Sequence, residues 1–87
     1  MLDAEESGFK THYICQTYIA HKNGLKVDKL LQYTSAAQAE DRASREAARD
    51  GCAGADAYML TEDVGSGEVS LPTFLARFGD VPLDDGS

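Results

Sequence analysis

The dipeptide Asn23-Gly24, set between two runs of strand-like residues, constrains this chain more than any other feature. Asn and Gly tolerate the positive φ angles of a type I′ turn, whose twist matches that of the strands it joins. Lys10 to Ala20 is rich in Tyr, Ile and Thr, and Leu25 to Tyr33 carries apolar residues at Leu25, Val27, Leu31 and Tyr33. Both stretches read as strands, so the chain opens with a β-hairpin. With Asn23 and Gly24 at the centre of the turn, counting outward pairs Ala20 with Val27, Tyr18 with Lys29, Gln16 with Leu31 and Ile14 with Tyr33. Ile14, Tyr18, Ala20, Val27, Leu31 and Tyr33 then form a mostly apolar core face. Tyr13, Cys15, Thr17 and Ile19 fall on the reverse with Asp28, Leu30, Gln32 and Thr34. A longer loop would swap the two faces.

Ser35 is placed to cap a helix, and Gln38 three residues on completes the pattern of a capping box. The spacing predicts a helix over 36–50, with Gly51 as its left-handed C-terminal residue. Ala36, Ala39, Ala43 and Ala47 make a stripe along it, while Asp41 with Arg45 and Arg42 with Glu46 stand four apart on the expected wet side. An alanine stripe buries roughly a third of the area that leucines would at the same positions. The large core residues must therefore come from the strands, and the small helix face lets the helix lie low against them.

Ala55 to Val64 and Glu68 to Phe78 read as a second hairpin around a flexible Gly65-Ser66-Gly67 loop, with Phe74, Ala76 and Phe78 on one face. Pro72 belongs at an edge, a bulge or the strand entry, because it cannot donate to a ladder. The expected fold class is α+β: a ββαββ unit with a mostly antiparallel sheet and one helix on one face. Residues 9–81 are the expected domain, between acidic tails expected to be disordered at 1–8 and 82–87, with fraying from Gly79 onward. The connection through the helix is a right-handed crossover if the strands it joins are parallel in one sheet.

The chain has 87 residues and a formal charge of −7. Much of that charge is in the tails: residues 9–81 hold ten acids and all eight bases. The body is thus close to neutral, and the acidic ends read as solvating. No apolar run approaches a membrane span, and the amino terminus is acidic where a signal peptide would be basic. Two cysteines in different elements, Cys15 and Cys52, fit a reducing compartment, so a cytoplasmic location is expected. A domain this short hides only about 60% of its unfolded surface, and self-association is a common way to gain the rest. A homodimer is the default expectation.

Few residues carry chemistry. His12, Cys15, His21 and Cys52 are the soft-ligand candidates, but His12 and Cys15 point to opposite faces of one strand, so no metal site is expected. Cys15 has no local base to form a thiolate, and Cys52 lies at the helix end whose dipole opposes one. The acid pairs Glu62-Asp63 and Asp84-Asp85 are sequence neighbours and diverge in a strand, which makes them poor general acid and base partners. Gly65-Ser66-Gly67 lacks the following helix and lysine of a phosphate loop. No catalytic residue and no cofactor are expected.

Two binding surfaces remain. Tyr13, Ile19 and Leu30 would form an apolar patch on the sheet face away from the helix, suited to dimerisation. All four lysines, Lys10, Lys22, Lys26 and Lys29, lie in the first hairpin beside only Asp28. With Tyr13, Tyr18 and Tyr33 interleaved, they give the footprint of a single-stranded nucleic-acid platform, with Lys22, Lys26 and Lys29 as phosphate contacts. Matched charges on the helix and the core assignment of Tyr18 and Tyr33 argue against it. Gln16 is a polar residue among apolar neighbours, read either as a structural buried amide or as a ligand contact.

Tyr13-Ile14-Cys15-Gln16-Thr17-Tyr18, the Asn23-Gly24 turn, the alanine-rich helix and the closing Phe74-Leu75-Ala76-Arg77-Phe78-Gly79-Asp80-Val81-Pro82 resemble a family of short, uncharacterised bacterial proteins with two hairpins around one helix. The likeness spans residues 10–82 and implies a fold, with no activity, cofactor or catalytic residue to carry over. The expected function is a non-enzymatic interaction or accessory module that self-associates through the exposed sheet face. Single-stranded nucleic-acid binding is the alternative, and a protein partner is not identified by the sequence.

Overall fold

The computed structural model describes residues 8–82. The chain runs β1 (Phe9–His21), β2 (Gly24–Tyr33), α1 (Ala36–Ala47), β3 (Gly54–Asp63) and β4 (Thr73–Gly79). The four strands form one antiparallel sheet in the order β2-β1-β3-β4, with α1 laid across one face, an α+β architecture of ββαββ type. Since β2 and β3 both run antiparallel to β1, they are parallel to each other without being neighbours. Apart from Gly8 and Pro82, the tails expected at 1–8 and 82–87 lie outside the described residues.

The first hairpin forms, but its register differs from the expected one. His21 pairs with Gly24, so Lys22 and Asn23 are the central turn residues, and Lys22 takes the positive φ, 54°. That change moves the pairing by two residues and preserves the faces. A bulge then changes them: Thr17 faces Lys29 and Tyr18 faces Val27, leaving Asp28 as the extra residue in β2. One inserted residue inverts the alternation of everything beyond it. Cys15 therefore faces Leu31 and Tyr13 faces Tyr33, while Gln16 faces Leu30 and Ile14 faces Gln32.

The helix covers the face that carries Tyr13, Cys15 and Thr17, the reverse of the face expected as core. Cys15, Ala55 and Ala57 meet Ala39 and Ala43 there with no exposure, and Tyr13, Leu31, Tyr33, Ala47, Leu75, Ala76 and Phe78 pack around them. The alanine stripe does seat the helix low, and its floor is also made of small residues. The large side chains surround this centre.

Ser35 caps α1 as expected, its Oγ accepting from the Gln38 amide at 3.2 Å. The reciprocal bond goes one residue earlier: Gln38 Oε1 accepts from the Thr34 amide and hydroxyl at 3.2 and 3.0 Å. The helix ends at Ala47, three residues before the expected end, in tight turns through which Ala48 and Arg49 donate to the carbonyls of Arg45 and Glu46. Gly51 does take a positive φ, 89°, within the loop after the helix.

In the second hairpin the loop is bound to its flank, with Asp63 Oδ1 accepting from the Gly65 and Ser66 amides at 2.9 and 3.3 Å. Pro72 directly precedes β4, at the strand entry. A bulge between the pairs Ala57–Ala76 and Tyr58–Phe74 makes Leu75 the extra residue, so Phe74 leaves the face of Ala76 and Phe78 and joins Tyr58 on the opposite one. The chain beyond Gly79 does not fray at once: Asp80 donates its amide to the Ala53 carbonyl at 2.9 Å. This crossing requires glycine at position 54, where a Cβ would collide with the Asp80 backbone. Gly79 turns the chain with φ 71°, and a Cβ there would stand 2.7 Å from the Ala53 carbonyl oxygen.

Candidate functional site

The face away from the helix carries even-numbered residues of β1 and β3: His12, Ile14, Gln16 and Tyr18 beside Asp56, Tyr58, Leu60 and Glu62. Asp56 is its centre. It faces Arg77 across the β3–β4 ladder and is fully buried, although the helix lies on the other side of the sheet. Arg77 donates Nε to Asp56 Oδ1 at 2.8 Å and Nη2 to Oδ2 at 3.2 Å, a two-point pairing that suits the planar guanidinium. The same Nη2 donates to the Pro82 carbonyl at 2.7 Å, tying the segment after β4 to this face.

From Asp56 a chain of side-chain hydrogen bonds extends over β1. Tyr18 donates its hydroxyl to Asp56 Oδ2 at 3.0 Å and accepts from Gln16 Nε2 at 3.0 Å, and Tyr58 donates to Gln16 Oε1 at 2.9 Å. The amide of Gln16 thus uses both ends, the structural role of its two readings. Arg77 also lies 4.0 Å above the centre of the Phe74 ring, which meets Tyr58 edge-on at 5.9 Å. Burial, and then the bond to the Asp56 carboxylate, push the Tyr18 hydroxyl up to about 12, and burial with the Asp56 charge raises that of Tyr58. Both tyrosines are held neutral and act as hydrogen-bond donors.

A second network lies nearer the other end of the same face. His12 Nε2 stands 2.8 Å from Glu62 Oε1, and Gln32 Nε2 stands 2.6 Å from His12 Nδ1. In the tautomer that donates from Nε2 to Glu62, Nδ1 accepts from Gln32, so β2, β1 and β3 are linked by one imidazole.

On the helix side, Glu46 is buried at 3% exposure and is not a wet-face residue. Lys29 from β2 reaches its Oε1 at 3.1 Å, and Arg42 and Arg49 reach Oε2 at 2.8 and 3.4 Å. Burial alone would raise the Glu46 pKa, but the Lys29 bond and the charges of Lys29, Arg42 and Arg49 hold it below the ordinary value. Burial pushes the Cys15 thiol up to about 11, with the Glu46 charge adding to it, so Cys15 is an inert core residue.

The residues singled out from sequence are dispersed. Tyr13 and Ile19 lie on the helix side of β1, and Tyr13 packs on the core, whereas Leu30 lies on the opposite face, 59% exposed. They do not make one patch, because the Asp28 bulge inverted β2 against β1. Leu30 instead lines up with Leu25 and Val27, opposite Gln16, Ala20 and Tyr18 in turn, as exposed aliphatics along the β2 border of the open face. Of the expected phosphate contacts, Lys22 and Lys26 are exposed, but Lys29 is bound to Glu46. Tyr13 and Tyr33 pack beneath the helix side and Tyr18 is bound to Asp56, so none of these three tyrosines stands open beside the lysines.

Asp56 and Arg77 escaped sequence reasoning, and Glu46 reads from sequence as the partner of Arg42 but on the wet side of the helix. The readable signals were a lone acid among small residues in Gly54-Ala55-Asp56-Ala57, and Arg77 as the single Lys or Arg after Arg49. Among the described residues no group of three or more His, Cys, Asp or Glu could hold a metal ion, and no helix is long and apolar enough to cross a membrane. No family model, curated protein or solved structure matches the chain.

Proposed function

We propose that this chain is a small, non-enzymatic interaction module that self-associates, with the β2 border of the open sheet face as its working surface. One observation carries the reading: Leu25, Val27 and Leu30 stand exposed in a row on that face, beside Ile14 and Tyr18, which the sheet buries. An aligned apolar row on a small domain favours association, and a second copy supplies burial that a chain this short lacks.

The polar residues of the same face support a scaffold role. Gln16, Tyr18, Asp56 and Tyr58 bond to one another and Arg77 clamps Asp56, which fixes the sheet. Free thiols at Cys15 and Cys52 accord with a cytoplasmic module, and the resemblance noted above accords with a bacterial one.

Sedimentation equilibrium of the full chain over a wide concentration range tests the reading. A concentration-dependent monomer–dimer equilibrium is expected, and a monomer at every concentration would refute it.

A further inference from the structure

We infer that the occupant of this border is a second copy of the chain, joined edge to edge through antiparallel β2–β2 pairing that the Asp28 bulge makes specific for self. The inference rests on the self-association reading and adds its geometry.

The two borders of the sheet differ. β4 is short, follows Pro72 and is bulged at Leu75, three features that blunt an edge. β2 has ten residues and no proline, and its outer side pairs with nothing among the described residues. Lys29 directs its amide inward to Thr17 Oγ1 at 3.0 Å, so by alternation the amides of Leu30 and Gln32 point outward.

A two-fold axis normal to the sheet matches faces only if each residue pairs with one on its own side. In a regular strand that forbids pairing a residue with a partner three places away. The extra residue at Asp28 removes this bar: Val27 and Leu30 share the open face, although they are three apart. Around an axis between Asp28 and Lys29, Val27 meets Leu30 of the second copy, Leu25 meets Gln32, and Lys26 meets Leu31, each on its own side. Asp28 and Lys29 line the same recess as Glu46 and Arg49, and so share the helix side. At the axis each Asp28 faces Lys29 of the other copy, whose ammonium also holds its own Glu46, so an opposite-charge cross-strand pair is made twice. A regular strand from another protein would lose register at the bulge, whereas an identical bulged strand keeps it. The product is an eight-stranded sheet with both helices on one side.

Isotope-filtered nuclear Overhauser spectroscopy on a mixture of labelled and unlabelled full-length chains reads this directly. Contacts between Val27 methyls of one copy and Leu30 methyls of the other are expected. Two variants at exposed positions accompany it, their fold checked by the amide spectrum of β3 and β4. Leu30→Lys places a charge on the apolar row, and Asp28→Lys sets like charges across the axis. Each is expected to weaken the dimer about tenfold or more, with the Asp28→Lys loss shrinking as salt rises. A wild-type chain that stays monomeric overturns both the pairing and the self-association reading. A dimer that shows intermolecular contacts elsewhere, or that both variants leave unweakened, overturns the edge pairing alone.

Discussion

Against the helix the sheet presents Cys15, Ala55 and Ala57, side chains that offer little but close approach. On the reverse it presents Gln16, Tyr18, Asp56 and Tyr58, which bond to one another. Both sets are largely withdrawn from solvent, by different means. On the helix side, alanines at 39 and 43 let a backbone settle onto the strands, so stability there depends on shape and on the absence of volume. On the open side no helix arrives, and the withdrawal of Asp56 depends on Arg77, Tyr18 and the chain folded back through Asp80 to Pro82. The first arrangement is damaged by adding atoms and the second by removing them.

The largest expected effect comes from removing the centre of the open face. Asp56→Ala takes the carboxylate away from the Arg77 guanidinium and the Tyr18 hydroxyl, and loss of one partner from a buried pair costs about 3–5 kcal/mol. Urea unfolding followed by circular dichroism measures it. The double variant Asp56→Leu with Arg77→Met replaces the pair by apolar side chains and is expected to lose less than Asp56→Ala alone. If the double variant is the worse of the two, the open face is held by shape after all and the contrast fails.

The opposite operation tests the helix side. Ala43→Leu adds volume between α1 and the sheet at a residue with no exposure, and overpacking of this kind costs about 1–3 kcal/mol. The same urea assay detects it, and an unchanged or raised midpoint would show that the helix has room to lift.

Titration separates the buried carboxylate from the buried thiol and phenol by the direction in which each fails. Glu46 has a lowered folded pKa, so its contribution is present above the ordinary carboxylate value of 4.5 and is lost as pH falls through the lower folded value. Cys15 and Tyr18 have raised folded values, so theirs are present at neutral pH and lost as pH rises from 9 to about 11 for the thiol and from 10 to about 12 for the phenol. Thermal melts across pH are expected to fall at both ends. Glu46→Gln should flatten the acid limb and Tyr18→Phe should soften the alkaline one, each leaving the other limb in place.

The sequence discloses elements more readily than faces, and the first hairpin shows why. Strand content, a tight turn that includes Asn23, the Ser35 cap and the alanine stripe all follow from local preferences, and all are present, though the turn centres on Lys22 and Asn23, one residue before the expected Asn23-Gly24. Which face is core depends on parity, and parity is lost to single-residue bulges at Asp28 and Leu75 that no alternation pattern announces. The Tyr13, Ile19 and Leu30 patch dissolved for that reason. Leu30 alone kept its exposure and gained Leu25 and Val27 as neighbours. Asp56 and Arg77 stand 21 residues apart, and their pairing needed the β3–β4 register, which an irregular strand after Pro72 conceals.

The smallest expected effect bounds the comparison from below. Asp41 and Arg45 form an ion pair at 3.0 Å on the helix surface, chemically akin to Asp56 with Arg77, but their side chains are 66% and 67% exposed. Water screens them, and holding two long side chains together costs entropy, so a pair of this kind is worth no more than about 0.5 kcal/mol. Asp41→Ala should therefore leave the urea midpoint nearly unmoved, while Asp56→Ala shifts it far. Both changes delete an aspartate that pairs with an arginine; one acid is 66% exposed and the other fully buried. If Asp41→Ala were as costly as Asp56→Ala, burial would not be what gives the open-face network its strength, and the account of that face as the rigid frame behind the β2 border would lose its physical basis.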